Sequence, residues 1–239
     1  MRRRIRWGVG AALVALLLVG STACDEAKVG AADSAASLTP VSPAPDSSAS
    51  RESSALAALE TLTIKGRAPK TGYSRDQFGP GWASAQGCDT RNRILDRDLV
   101  DKTYRPGNCV VLTGTLLDPY TGKTIAFERG NGTSTAVQID HVVSLSDSWQ
   151  KGAFQWAPDK RVRFANDPLN LLAVDGHANQ QKSDADAATW LPPNKPFRCQ
   201  FVARQVAVKA KYNVWVTQAE HDAIARVLQA CPNEPVPTG

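Results

Sequence analysis

Hydrophobic and polar positions divide this chain of 239 residues into three textures. Residues 8–20 are an unbroken run of Gly and aliphatic residues behind Arg2, Arg3, Arg4 and Arg6, and the small residues Ser21-Thr22-Ala23 follow. The run is too short to cross a bilayer as a mature helix, so residues 1–23 read as a cleavable signal peptide. A retained membrane anchor is the competing reading. Residues 24–54 then lose all periodicity: residues 25–54 hold seven Ala, eight Ser, three Pro and no aromatic residue. Such a segment buries too little apolar surface to offset its ordering entropy, and it reads as a disordered tether. Periodic patterning begins at residue 55 and continues to about 231, a length that suits one domain with a real core. Residues 232–239 read as a frayed tail.

Within 55–231 the pattern predicts mixed elements. Ser54 is placed to cap a short helix over 55–62, and Asp89 or Thr90 to cap one through Leu99, with Ile94, Leu95 and Leu99 on one side. The stretch 71–87, rich in Gly and aromatics, is expected to be irregular. Residues 109–116 alternate with β-branched side chains, Asp118-Pro119-Tyr120-Thr121-Gly122 is a turn, and 123–127 returns as the second arm of a hairpin. Further strands are predicted over 136–145 and 169–174, the latter closed by Asp175-Gly176, with a short helix over 148–155 between them. A helix over 177–190 should stop at Pro192-Pro193. Two helices end the domain, over 197–211 and 218–230, the second opened by a capping box of Thr217 and Glu220. Trp149, Trp156 and Trp190 fall in apolar-periodic segments and read as core. The fold class is α+β, not the alternation of a doubly wound sheet.

Export changes how charge and cysteine are read. The formal net charge is +5, but four of the basic residues lie in the leader. From Ala55 onward 22 bases face 18 acids, which permits a nucleic-acid partner without demonstrating one. Of five Cys, Cys24 directly follows the cleavage site. The segment resembles a lipobox, whose Cys is lipidated in bacterial lipoproteins, with Ser21 where Leu or Val is usual. Cleavage at the same bond by the ordinary signal peptidase is the alternative. The expectation is thus an extracellular or cell-surface protein of a bacterium, touching a membrane only through Cys24. The remaining four Cys read as two disulfides, the local pairing Cys88–Cys109 and Cys199–Cys231 being favoured over the two other connectivities and over a structural zinc site. Loops of that size stabilise by about 3 kcal/mol each in the chain-entropy model.

The candidate chemistry is Asp140-His141, then Asn170, then Asn179 nine residues later. Imidazole titrates nearest neutral pH, so His141 is the natural general base. Asp140 and Asn179 offer hard oxygens and leave positions open for water and phosphate, which suits Mg²⁺ better than zinc. The Asn170 amide cannot act as a base but can bridge backbone groups and hold the loop carrying His141. Neighbours on a regular strand face opposite ways, so the pair is expected to sit on irregular backbone. His177, an imidazole two residues before Asn179, is a rival ligand to it, with an exposed residue of the first helical turn as its alternative reading. His221, on the last helix, reads as structural.

These residues carry a resemblance to a known family. The segment is similar to the HNH nucleases, whose core is two strands and a helix around one metal, and more closely resembles exported members of the GmrSD-type HNH endonuclease C-terminal domain family. The likeness rests on Tyr73-Ser74-Arg75, Trp82, Cys88-Asp89-Thr90-Arg91-Asn92, the turn at 118–122, Ile139-Asp140-His141-Val142-Val143, Asn166-Asp167-Pro168-Leu169-Asn170-Leu171-Leu172, Asn179, Lys182, Asp184 and Trp190-Leu191-Pro192-Pro193. Each motif is short, and their order over nearly the whole folded unit makes the match specific. The resemblance implies a ββα-metal core with an added β-hairpin and flanking helices. It implies His141 as catalytic base, Asp140 and Asn179 as metal ligands, Asn170 as the middle Asn, and Lys182 close to the phosphate. Ser183 stands where Gly is common. Arg75, Arg91 and Arg163 lie inside family-like motifs and suit phosphate, with ion pairs to Asp76 or Asp89 as the competing role.

The implied activity is a divalent-metal-dependent endonuclease cutting DNA, with RNA as a second candidate substrate, and with little sequence preference; no protein partner is inferred. A non-catalytic surface lipoprotein that binds a polyanion or a protein is the rival, and a hydrolase of another phosphodiester is a third reading.

Overall fold

The computed structural model describes residues 54–238; the leader, Cys24 and the tether up to residue 53 lie outside the described residues. Ser54 opens helix α1 (Ala55–Glu60), its hydroxyl accepting from the Ala57 amide. The stretch rich in Gly and aromatics holds a 3-10 turn (Arg75–Phe78) and a two-residue ribbon of β1 (Ser84–Ala85) and β2 (Cys88–Asp89). Asp89 caps α2 (Thr90–Asp98) by accepting from the Asn92 amide. The chain then enters β3 (Leu99–Tyr104), a strand the sequence pattern did not predict. Asp101 has φ +50° and the pairing register shifts between Val100 and Thr103, so no clean alternation was there to read. The antiparallel sheet is completed by β4 (Val111–Leu117) and β5 (Thr124–Glu128), in the order β3-β4-β5, with the expected hairpin turn between the last two.

The centre of the fold is a second sheet of two strands. β6 (Val137–His141) is followed by α3 (Leu145–Gln150), α4 (Pro158–Asn166) and then β7 (Leu171–Asp175), and β6 and β7 pair antiparallel in unbroken register. Helix α5 (Gly176–Lys182) follows β7 without a linker, giving a strand–strand–helix unit. Both faces of this hairpin are buried. Val137, Ile139, Leu171 and Ala173 join α2 and the three-stranded sheet in one apolar cluster, while Leu172 and Val174 face Tyr120, Ala178 and the terminal helices in another. That two-sided burial is why β7 reads as a continuous apolar run. The terminal helices are α6 (Arg198–Tyr212) and α7 (Gln218–Gln229). Phe201, Val202 and Val206 of α6 pack into the hairpin's second cluster; Ala207, Val208 and Tyr212 pack into a third with Trp149 and Phe164.

Several boundaries moved for identifiable reasons. The strand expected over 136–145 ends at His141, because Ser144 accepts from the Asp147 amide and starts α3 there, earlier than the predicted 148. α4 was not predicted. The helix expected over 177–190 ends at Lys182: Ser183 has φ +50° and ψ −122°, a conformation that favours glycine. Only half of the expected capping box forms. Thr217 accepts from the Glu220 amide, but the Glu220 carboxylate turns inward. The tail is not frayed at its start: Ala55 donates to the Glu234 carbonyl and Val236 packs against two apolar clusters. Both local disulfides are formed, Cys88–Cys109 and Cys199–Cys231.

Glu220 belongs to a buried ionic network. The ammonium of Lys151 lies 2.6 Å from Asp147, 2.8 Å from Asp186 and 2.6 Å from Glu220. Lys209 bridges Asp147 and Glu220, and Arg67 bridges Asp147 and Asp186. The Lys151, Lys209 and Glu220 side chains are 0% exposed, so each depends on its partners for its solvation. The network ties α3, α6, α7 and the segment after α5 together. Removing one buried partner strands the others, typically at a cost of about 3–5 kcal/mol. Glu220→Gln should therefore lower the unfolding free energy by about 3 kcal/mol in urea titration. A change below roughly 1 kcal/mol, the scale of an exposed pair, would contradict this role. Ser183→Gly should move the other way. It relieves an unfavourable backbone conformation costing about 1–3 kcal/mol and gives back part of that as unfolded-state entropy, so a net gain of roughly 1 kcal/mol is expected in the same titration.

Candidate active site

The strand–strand–helix unit sets the site. On β6 the odd positions Val137 and Ile139 face the α2 side, so Gln138 and Asp140 face α5. Two rungs join strand and helix. Asn179 Nδ2 donates to Gln138 Oε1 (2.9 Å), and Lys182 Nζ donates to Asp140 Oδ1 (2.9 Å). Residues 138 and 140 share a strand face, and 179 and 182 share a helix face, so the two periodicities match over one turn. α5 is itself placed by Asp175, whose carboxylate accepts from the Ala178 amide and whose own amide donates to Asp118 Oδ1 (2.8 Å).

Asp140 is buried and doubly held, by Lys182 and by the Tyr120 hydroxyl. Burial pushes its pKa above the ordinary carboxylate value, against the opposing pull of the Lys182 ammonium and the Tyr120 hydrogen bond. Tyr120 is pushed well up by burial and by Asp140, so it remains a neutral donor. Each Asp140 oxygen still has a second lone pair.

His141 closes β6. Its Nε2 lies 2.9 Å from the Ala165 carbonyl, which can only accept, so Nε2 carries the proton and Nδ1 is the free base. Trp82 stacks on the ring, centroids 5.7 Å apart and planes within 10°. Burial first, then Arg75 and Lys182 nearby, hold the imidazole neutral, its pKa lowered to about 3 against the opposing Ala165 hydrogen bond.

The expected break in strand geometry at this pair is absent. Asp140 pairs with Leu172 and His141 with Leu171 in regular register, and the two side chains leave opposite faces. They nevertheless line one cleft of about 680 Å³ with Asn179, Arg75, Arg91 and Trp82. The reason is topological. Among the described residues β6 pairs only with β7, which leaves its other edge without a strand, and the cleft along that edge is lined from both faces.

Asn170 is completely buried just before β7. Its Oδ1 accepts from the Val143 amide (2.8 Å), its Nδ2 donates to the Val143 carbonyl (3.2 Å), and its own carbonyl accepts from the Val142 amide (2.8 Å). These bonds hold the chain immediately after His141.

The other sequence-nominated residues divide. Arg75 is exposed in the cleft and has no ion-pair partner among the described residues; it does not pair with Asp76. Arg91 also lines the cleft, half-buried, donating to the Val137 carbonyl at 3.4 Å rather than pairing with Asp89. Arg163 lies outside the cleft, exposed and paired with Asp159 (2.6 Å), so the phosphate role read from its motif finds no support in its position. Lys182 faces inward, 0% exposed, and is committed to Asp140 and the His141 carbonyl instead of standing open to phosphate. His177 is exposed and does not line the cleft. His221 sits on α7 near Asp222 and Glu60. Trp82, Tyr120 and Gln138 were missed as site residues. Gln138 left a signal, a polar side chain between two buried aliphatics on a strand.

A buried imidazole and a carboxylate on one strand, an Asn on the helix of a strand–strand–helix unit, and a second Asn between them define an HNH-type domain. Comparison with known families agrees. Residues 89–227 match the model of the family described as GmrSD restriction endonucleases, C-terminal domain, and the chain belongs to that family. A protein of Arthroderma benhamiae, described as an uncharacterized secreted protein, is 37% identical over 182 residues, covering 75% of this chain and 85% of the fungal one. No solved structure matches the chain. Membership brings a nuclease-related function.

Loss of the Asn170 amide would leave the Val143 N–H and carbonyl buried and unpaired, at about 1–3 kcal/mol for each such group. Asn170→Ala should therefore destabilise by about 2–4 kcal/mol and accelerate hydrogen exchange at the Val143 amide. Unchanged protection at Val143 would contradict the clamp.

Proposed function

We propose that this protein is an exported, divalent-metal-dependent endonuclease that hydrolyses phosphodiester bonds of DNA with little sequence preference. The observation that carries the reading is the opening of Asp140, His141 and Asn179 onto one cleft beside two guanidinium groups, Arg75 and Arg91, that form no ion pair among the described residues. The family supports phosphodiester chemistry, and the fungal relative's description as secreted supports export. Lipidation of Cys24 and a bacterial source remain readings of the leader alone.

His141 acts as general base. With Nε2 fixed on Ala165, Nδ1 accepts a proton from the attacking water. Trp82 and the Asn170 clamp keep the ring from turning. Arg75 and Arg91 bind flanking phosphates, and their planar forks suit that contact. Asp140 and Asn179 would hold one hard cation. The donor set fits: one carboxylate and one amide oxygen that takes no hydrogen bond among the described residues, with no thiolate in the cleft. Such an ion, Mg²⁺ in this reading, would supply positive charge to the developing phosphorane and the leaving oxygen. His177 is not needed in this arrangement. Lys182 acts indirectly, by holding Asp140 and the His141 carbonyl.

Supercoiled plasmid should be nicked and linearised with Mg²⁺ and left intact with EDTA. His141→Ala should lower the rate by about 10²–10⁴-fold, the usual contribution of a general base, while the variant stays folded with a stability loss of about 1–3 kcal/mol from the stranded Ala165 carbonyl. Equal cleavage by the variant, or binding of DNA with no turnover across several divalent metals, would overturn the proposal.

A further inference from the structure

An Asn side chain offers an oxygen at one end of its amide and an NH₂ group at the other, and the two ends have nearly the same shape. A cation accepts only the oxygen. A metal-binding Asn179 therefore needs something to decide which end faces the cleft, and α5 itself supplies nothing of the kind.

Three groups in a row make that decision. The Thr135 carbonyl can only accept, so it draws the Nε2 end of Gln138, at 3.5 Å. Gln138 must then present Oε1 to its other neighbour, and Oε1 accepts from Asn179 Nδ2 at 2.9 Å. The remaining end of Asn179 is its carbonyl oxygen, which has no hydrogen-bond partner among the described residues on a residue that lines the cleft. A backbone carbonyl thus sets the sense of two amides in series. Gly176 makes the approach possible. A Cβ there would stand 2.0 Å from the Thr135 oxygen and 3.2 Å from Gln138 Nε2, so any side chain would push the start of α5 away from this row.

We propose that Gln138 is a positioning residue: it turns the Asn179 carbonyl oxygen into the cleft, where a divalent cation is bound. This rests on the reading of Asn179 as a metal ligand. Gln138 lies on the same strand face as Asp140, so the strand that carries one ligand also orients the other. It does not touch the reacting atoms, and its effect passes through Asn179.

The test is Mn²⁺ binding to the metal-free protein without nucleic acid, by calorimetry and by water-proton relaxation. Gln138→Met keeps the side-chain length and removes the amide acceptor. The expected result is about a 10–100-fold weaker Mn²⁺ affinity, the usual effect of losing a group that orients a ligand, with an unchanged unfolding midpoint. Asn179→Ala should weaken binding at least as much. Because Gln138 acts through Asn179, adding Gln138→Met to Asn179→Ala should cause no further loss. Wild-type affinity in Gln138→Met while Asn179→Ala binds weakly would overturn this inference and leave the ligand reading standing. Additive losses in the double variant would overturn it as well, since Gln138 would then act by another route. Unchanged Mn²⁺ uptake by Asn179→Ala would overturn both.

Discussion

A two-stranded sheet buried on both faces, with one strand edge left open, is the constraint on which the rest of this structure depends. Burial of both faces of β6 and β7 fixes their register, because a slip by one residue would exchange every buried side chain for its neighbour on the other face. Fixed register puts Asp140 toward α5 and His141 toward α2 and Trp82. The open edge of β6 lets both reach one cleft. Either feature alone would be insufficient. A third strand on that edge would wall the two residues apart, and a hairpin with one wet face would leave His141 hydrated and free to turn.

Everything around the hairpin restrains it. Asn170 closes the chain after His141 through three hydrogen bonds, Lys182 and Tyr120 fix Asp140, and α5 starts on β7 with no intervening residue. Farther out, the ionic network of Lys151, Lys209, Arg67, Asp147, Asp186 and Glu220 joins the surrounding helices. Apolar side chains of similar volume could fill that space with comparable stability. What the charges add is a requirement that α3, α6, α7 and the segment after α5 meet in one arrangement. The disulfides brace the domain in two further places, one tying β2 to the loop between β3 and β4, the other tying the start of α6 to the residues just after α7.

Much of this was legible in the sequence. The caps at Ser54, Asp89 and Thr217, the hairpin turn at 118–122, the two disulfides and the clamp formed by Asn170 are local or carried by strong residue chemistry. One error has a cause inside its own strand, and the others fall where a distant group outweighed local preference. β3 escaped notice because Asp101 interrupts its alternation. α5 stops at Lys182, although 177–190 looks helical, because Ser183 turns the chain so that Asp184 and Asp186 reach Lys70, Lys151 and Arg67. Glu220 looked like half of a capping box and instead serves two buried lysines from other helices.

The sequence by itself determined the α+β class, the cysteine pairing and the residue types of the site, because each depends on composition, on spacing along the chain or on short-range geometry. Only the tertiary structure decided how Asp140 and His141 can share a cleft from opposite faces of a regular strand. It also decided that Lys182 and not solvent meets Asp140, that Arg163 lies elsewhere, and which end of the Asn179 amide faces outward. Those outcomes depend on which strand edge is left unpaired and on which carbonyl lies next to which amide. Pairings between distant segments set both, and no local pattern encodes them.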